Sequence, residues 1–207
     1  MKPIILALSL AASLFADGDF KAQPGGALPE PAAALKGSLE ASGTKIVDGT
    51  GKVYAEIWLR TALPADAKSA EQNITLPELP HGALIGVISF SAAASDRRGQ
   101  AIKAGLYTLR YSQFPITGDH QGVAPQRDFV VLGSIAEDKD PDSTPKFDTL
   151  MAIGRKASGT THPLILSMWK ADVATPSLTK EGEHDWVLIR KIGSIPVAII
   201  ISGRAEG

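Results

Sequence analysis

Residues 53–60 alternate without a break. Val53, Ala55, Ile57 and Leu59 fall on one side, and Tyr54, Glu56, Trp58 and Arg60 on the other. A period of two fits an extended strand, whose successive side chains point to opposite faces; wound into a helix, the same apolar residues would scatter around the axis. The rhythm returns in Tyr107, Leu109 and Tyr111, set against Leu106, Thr108 and Arg110. It returns again in Ile195, Val197, Ile199 and Ile201, with Ala198 and Ile200 opposite. Leu84 to Phe90 is a continuous apolar run, suited to a central strand covered on both faces.

Turn chemistry separates these runs. Asp48-Gly49-Thr50-Gly51 reads as a hairpin turn, and Gly193-Ser194 as a two-residue connection between strands at Asp185 to Ile192 and Ile195 to Ser202. Gly105 stands where a tight turn or bulge precedes a strong strand former. Strands are also expected at Asp128 to Ile135 and Pro163 to Trp169, with a short edge strand at Asn73 to Leu76 among Pro64, Pro77 and Pro80. One segment carries the helical period: Phe147, Leu150, Met151 and Gly154, with Ser143 or Thr144 as cap, Pro145 in the first turn and Gly159 as the stop. The expected fold is mostly β: an antiparallel β-sandwich, immunoglobulin-like or jelly-roll-like, with one short inserted helix, formed by residues 38–207 as one domain.

At the N-terminus, Lys2 precedes an apolar run of about ten residues that ends in small residues and Ala16, the pattern of a secretory signal peptide over 1–16. The run falls short of the ~20 apolar residues of a membrane span, so no stable span is expected after its removal. The expected location is periplasmic or secreted. Residues 17–37, with Pro24, Pro29, Pro31 and four glycines, carry no period and read as a flexible leader. Cys 0 excludes disulfides, thiolate metal sites and thiol nucleophiles. A net charge of −1 gives no electrostatic case for nucleic acid.

Local catalytic motifs are missing: no His-Glu-x-x-His helix, no phosphate loop, no Gly-x-Ser-x-Gly elbow. These absences argue against the common local-motif enzymes but not against a site assembled from distant residues. Asp119, His120, Arg127 and Asp128 sit on one loop and could form a binding rim, with Arg clamping an anion and Asp orienting His; alternatively Arg127 and Asp128 pin the loop to the sheet. Asp138, Asp140 and Asp142 recur at spacing two, as carboxylates converging on calcium would. They lack the glycine and the distal Glu of the EF-hand pattern, and the alternative is a solvated acidic loop favouring the helix dipole. His120 with His162 or His184 could make a transition-metal or acid–base site. Ser112, Ser158 and Ser167 have no activating neighbours in sequence. The Tyr54, Glu56, Trp58, Arg60 face could stack a sugar ring, unless the leader or the helix covers it.

The segment Ala104-Gly105-Leu106-Tyr107-Thr108-Leu109 resembles a pattern of immunoglobulin-like and prealbumin-like β-sandwich domains, a resemblance that implies fold class alone. Tyr107, Leu109, Arg110 and Tyr111, then His120 and Gly122, Arg127-Asp128-Phe129, and Asp138, Asp140 and Pro141 together resemble an uncharacterised family of exported bacterial proteins. That resemblance implies an exported β-sandwich and no particular activity. The expected function is a non-enzymatic binding or interaction domain, its partner an envelope protein or glycan. The alternatives are an extracellular enzyme with a His/Asp site, in one form metal-assisted, a carbohydrate-binding module, and an envelope subunit that pairs through an edge strand.

Overall fold

The computed structural model describes residues 19–63, 69–116 and 126–205. The expected signal segment 1–16 lies outside them. Twelve strands run in chain order: β1 Lys21–Ala27, β2 Ser42–Val47, β3 Val53–Leu59, β4 Leu84–Phe90, β5 Ala94–Ser95, β6 Ala101–Ile102, β7 Gly105–Gln113, β8 Asp128–Ser134, β9 Ile165–Lys170, β10 Ser177–Glu181, β11 Asp185–Ile192 and β12 Ile195–Ser202. A 3-10 helix spans Glu30–Ser38, and one α-helix, α1, spans Phe147–Ser158.

The protein is mostly β, and its pairings are antiparallel. Ten strands join in a single order, β1-β2-β3-β4-β7-β8-β9-β12-β11-β10, and β5 with β6 forms a separate small hairpin. The sheet curls until its terminal strands, β1 and β10, come within 8 Å of each other between Cα atoms, without a ladder of hydrogen bonds between them. It is nearly barrel-shaped.

Alternation decides what fills the interior. Ala55, Ile57 and Leu59 of β3, Tyr107, Leu109 and Tyr111 of β7, and Ile195, Val197, Ile199 and Ile201 of β12 all pack in one central cluster. The opposite faces are covered piecewise. Trp58, Leu84 and Val87 lie under Ala32 and Leu35 of the 3-10 helix. Phe129, Val131 and Ile165 lie under Leu150 and Met151 of α1. Ala198 and Ile200 join Val187 and Ile189 in a further cluster, so β12 is apolar on both sides as its sequence requires.

Several expectations are corrected. The described part of the leader carries regular structure: it supplies β1, paired to β2, and the 3-10 helix. Ala32 and Leu35 stand three apart, the spacing that brings side chains into line in a 3-10 helix, and both are buried. No strand forms at Asn73 to Leu76; Asn73 takes φ 56, which breaks extended backbone. Neither Ser143 nor Thr144 caps α1. Lys146 occupies that position with no side-chain cap, and Pro145 lies before the helix. The stop is as expected: Gly159 has φ 70, and its N–H returns to the Arg155 carbonyl at 2.9 Å.

Candidate functional site

The side of β7 turned away from the interior carries Thr108, Arg110 and Ser112, all buried although polar. They are covered by the 138–146 segment leading into α1 and by the turn at Pro80–Gly82. At Gly82, with φ 80, an added Cβ would fall 2.5 Å from the Pro145 carbonyl oxygen, so only glycine lets turn and segment approach this closely.

Arg110 is 1% exposed. Its Nε donates to Asp138 Oδ2 at 2.6 Å and its NH2 to Asp138 Oδ1 at 2.6 Å, a bidentate pair. NH1 donates to the carbonyls of Gly82 (2.8 Å) and Ser143 (2.6 Å), and NH2 to the Asp140 carbonyl (2.7 Å). Thr108 Oγ1 donates to Asp138 Oδ2 at 2.6 Å. With its donors filled from inside the fold, Arg110 binds the acidic segment in place and has no capacity left for an external anion.

Ser112 lies beside His81. Nε2 of His81 is 3.1 Å from Ser112 Oγ, and the ring also hydrogen-bonds the Pro145 carbonyl. Burial holds the imidazole below its ordinary 6.5, partly offset by the Pro145 contact. A hydroxyl against a neutral imidazole can serve as a nucleophile. Ser112 is 0% exposed, however, so here the pair ties the turn to the sheet.

Arg127 and Asp128 also act as ties. Asp128, 0% exposed, accepts from Tyr111 Oη at 2.5 Å, from the Thr75 N–H at 2.8 Å and hydroxyl at 3.1 Å, and from the Leu76 N–H at 3.3 Å. Burial, then the Asp128 carboxylate, pushes the Tyr111 phenol far above its ordinary range. Arg127 donates to the carbonyls of Phe114 and Gln72 and to Glu71. The two side chains thus hold the segment from Glu71 to Leu76 across the ends of β7 and β8. Asp119 and His120 lie outside the described residues.

The three aspartates do not converge. Asp138 faces Arg110, Asp140 Oδ1 accepts from the Asp142 N–H at 3.0 Å, and Asp142 pairs with Arg60 at 3.2 Å. His162 is exposed beyond α1, and His184 sits in the β10–β11 turn, 3.8 Å from Glu183. Among the described residues no group of three His, Asp or Glu side chains is arranged to hold a metal ion.

Nor does the Tyr54–Arg60 strip present an open aromatic face. Tyr54 packs against Phe20 and Phe90 and donates to the Ile201 carbonyl. Glu56 accepts from the Gly26 N–H. Trp58 is 1% exposed beneath the 3-10 helix and donates from Nε1 to the Gly26 carbonyl at 3.0 Å. Arg60 is engaged by the Pro141 carbonyl and Asp142.

Among the described residues an open cleft of about 420 Å³ lies at the seam of the sheet, between its two ends. Gln23 and Pro24 of β1, Thr44 of β2, Ser177 of β10, and Leu188 and Arg190 of β11 line it. Arg190 pairs with Glu40 at 2.7 Å, and Glu40 in turn accepts the Leu59 N–H at 3.1 Å. Sequence reasoning missed this cleft because its two walls are more than 120 residues apart and its edge strands carry no apolar rhythm. His81 was missed as well; the one local signal is its place before a glycine in Pro80-His81-Gly82. No family model, curated protein or solved structure matches the chain.

Proposed function

We propose that this protein is an exported, non-enzymatic binding or interaction domain whose ligand enters the seam cleft. One contrast carries this reading. Among the described residues, Arg110, Ser112 and Asp128 are buried and committed to internal ties, whereas the cleft is open and mixes apolar, hydroxyl, amide and guanidinium groups. The N-terminal pattern supports a periplasmic or secreted location, and an envelope protein or glycan as partner. For the finer fold class, we take the sandwich-like opposition of walls to arise by rolling a single sheet, with the interior filled by side chains.

The test is an amide-resolved NMR titration of the mature chain with soluble peptidoglycan fragments and with short extended peptides. Shifts confined to residues 22–24, 43–44, 176–177 and 188–190 are expected. Shifts centred on Arg127 and Asp128 would return the site to the 119–128 loop, and no shifts with either probe class would overturn the reading.

A further inference from the structure

We infer that Asn73 accepts an N-linked glycan, transferred from a polyisoprenyl diphosphate-linked oligosaccharide; this rests on the exported location and not on the cleft. Asn73 is the one asparagine of the chain, and it stands in Asn73-Ile74-Thr75. That is the Asn-x-Thr acceptor pattern, with no proline in the middle. One class of oligosaccharyl transferases also reads an acidic side chain two positions before the asparagine, where this chain has Glu71. Such a pattern also arises by chance; the fold is what sets this one apart. The residues around Asn73 are held. Arg127 donates to Glu71 at 3.2 Å and to the Gln72 carbonyl. Asp128 accepts from the Thr75 N–H at 2.8 Å and hydroxyl at 3.1 Å, and Leu76 is buried in the central cluster. Between these ties Asn73 is exposed at φ 56, and its side-chain amide makes no hydrogen bond among the described residues. Asparagine is one of the few side chains that accept this left-handed conformation. A glycan on its Nδ2 meets solvent and breaks none of the ties.

The same ties fix when transfer takes place. A transferase binds the threonine hydroxyl of its acceptor while the asparagine reacts. In the folded chain Thr75 Oγ1 is already committed: it donates to Asp128 and accepts from the Lys170 N–H at 2.8 Å. The segment is thus an acceptor before Glu71 to Leu76 docks across the ends of β7 and β8, and folding then closes it with the glycan outside. In the transfer, Nδ2 of Asn73 attacks the anomeric carbon of the activated sugar. The N–C bond forms as the C–O bond to the diphosphate breaks. The lipid diphosphate leaves with the electron pair, and one amide proton passes to a basic group of the transferase. Nothing is oxidised or reduced.

The test is expression of the full chain in a bacterial host that carries an oligosaccharyl transferase of the acid-reading class and its lipid-linked oligosaccharide. Cells are fractionated and the chain is read by intact mass. The exported chain should carry one glycan. Asn73→Gln and Thr75→Val should each abolish it, and Glu71→Gln should reduce it. The glycosylated chain should melt within about 3 °C of the unmodified one. In vitro, with purified transferase, a peptide of residues 69–77 should be modified at least about tenfold faster than the folded, unmodified chain. Asp128→Ala frees Thr75 and should raise the rate of the chain toward that of the peptide; it does so whether the variant folds or not. An exported chain without glycan, a glycan that persists in Asn73→Gln, or a glycosylated chain that no longer folds overturns the inference. Equal rates for the folded chain and Asp128→Ala overturn the closing of the acceptor by folding. A chain retained in the cytoplasm overturns the exported location instead, and an unmodified peptide overturns the acceptor site whatever the location.

Discussion

Arg110 shows how a charged residue comes to lie inside a β protein. A guanidinium without partners at 1% exposure would be prohibitive; here Asp138 supplies a bidentate partner and three backbone carbonyls take the other donors. Removing one member leaves the other buried and unpaired. Arg110→Met or Asp138→Asn should each cost about 3–5 kcal/mol, and the pair Arg110→Met with Asp138→Leu markedly less than the sum, read by urea unfolding. His81 adds a pH dependence. Its folded pKa lies below the unfolded value of 6.5, so the fold favours the neutral ring. That stability is complete above 6.5 and declines as pH falls below it, because the unfolded chain then takes up a proton that the folded chain resists. Melting temperature should fall between pH 7.5 and 5.5, and His81→Phe should flatten that slope. Of these two residues, alternation placed Arg110 on the outer face of β7. Nothing local named its partner, since Asp138 is 28 residues away and reads as an ordinary acidic loop residue.

At the scale of elements, period and capping were legible where an element buries a clean stripe. β4, β11 and β12 begin and end where their sequences say they should. α1 ends at its expected glycine, but its start moved because the Ser143 carbonyl and hydroxyl serve Arg110 and do not cap the helix. A glycine inside a helix, as at Gly154, ordinarily weakens it. In the structure a Cβ there would lie 2.7 Å from Pro163 Cβ and 2.7 Å from Val131 Cγ1, so the glycine lets α1 sit directly on the sheet. Gly154→Ala should therefore destabilise by about 1–3 kcal/mol in denaturant unfolding, although the helix alone would gain about 1 kcal/mol. β1 and β10 escaped notice because they are edges. Exposed on most of their residues, they need no apolar alternation, and the Pro24-Gly25-Gly26 sequence disguises β1 as a linker.

For the molecule as a whole, the seam follows from how the strands are ordered. β9 neighbours β12, and β11 and β10 follow, so the last hairpins run back toward β1 and leave β10 facing it. β1 then protects the remaining sheet. Deleting residues 19–28 would expose β2, whose Ser-Gly-Thr-Lys-Ile-Val sequence has no proline to block pairing. The truncated chain should self-associate with rising concentration in sedimentation velocity while the chain that keeps β1 stays monomeric; equal behaviour of the two would show that β1 plays no protective part.

Local sequence determined the strands that bury an apolar stripe, which of their faces are apolar and where α1 stops, because those properties are set by neighbours two to four residues away. Tertiary structure alone decided that ten strands share one rolled sheet, that Trp58 lies beneath a 3-10 helix and that Arg127 and Asp128 hold a distant segment. It alone left an open cleft between β1 and β10. Each of these depends on contacts between residues tens to more than a hundred positions apart, and no periodicity in the chain encodes which pairs will meet.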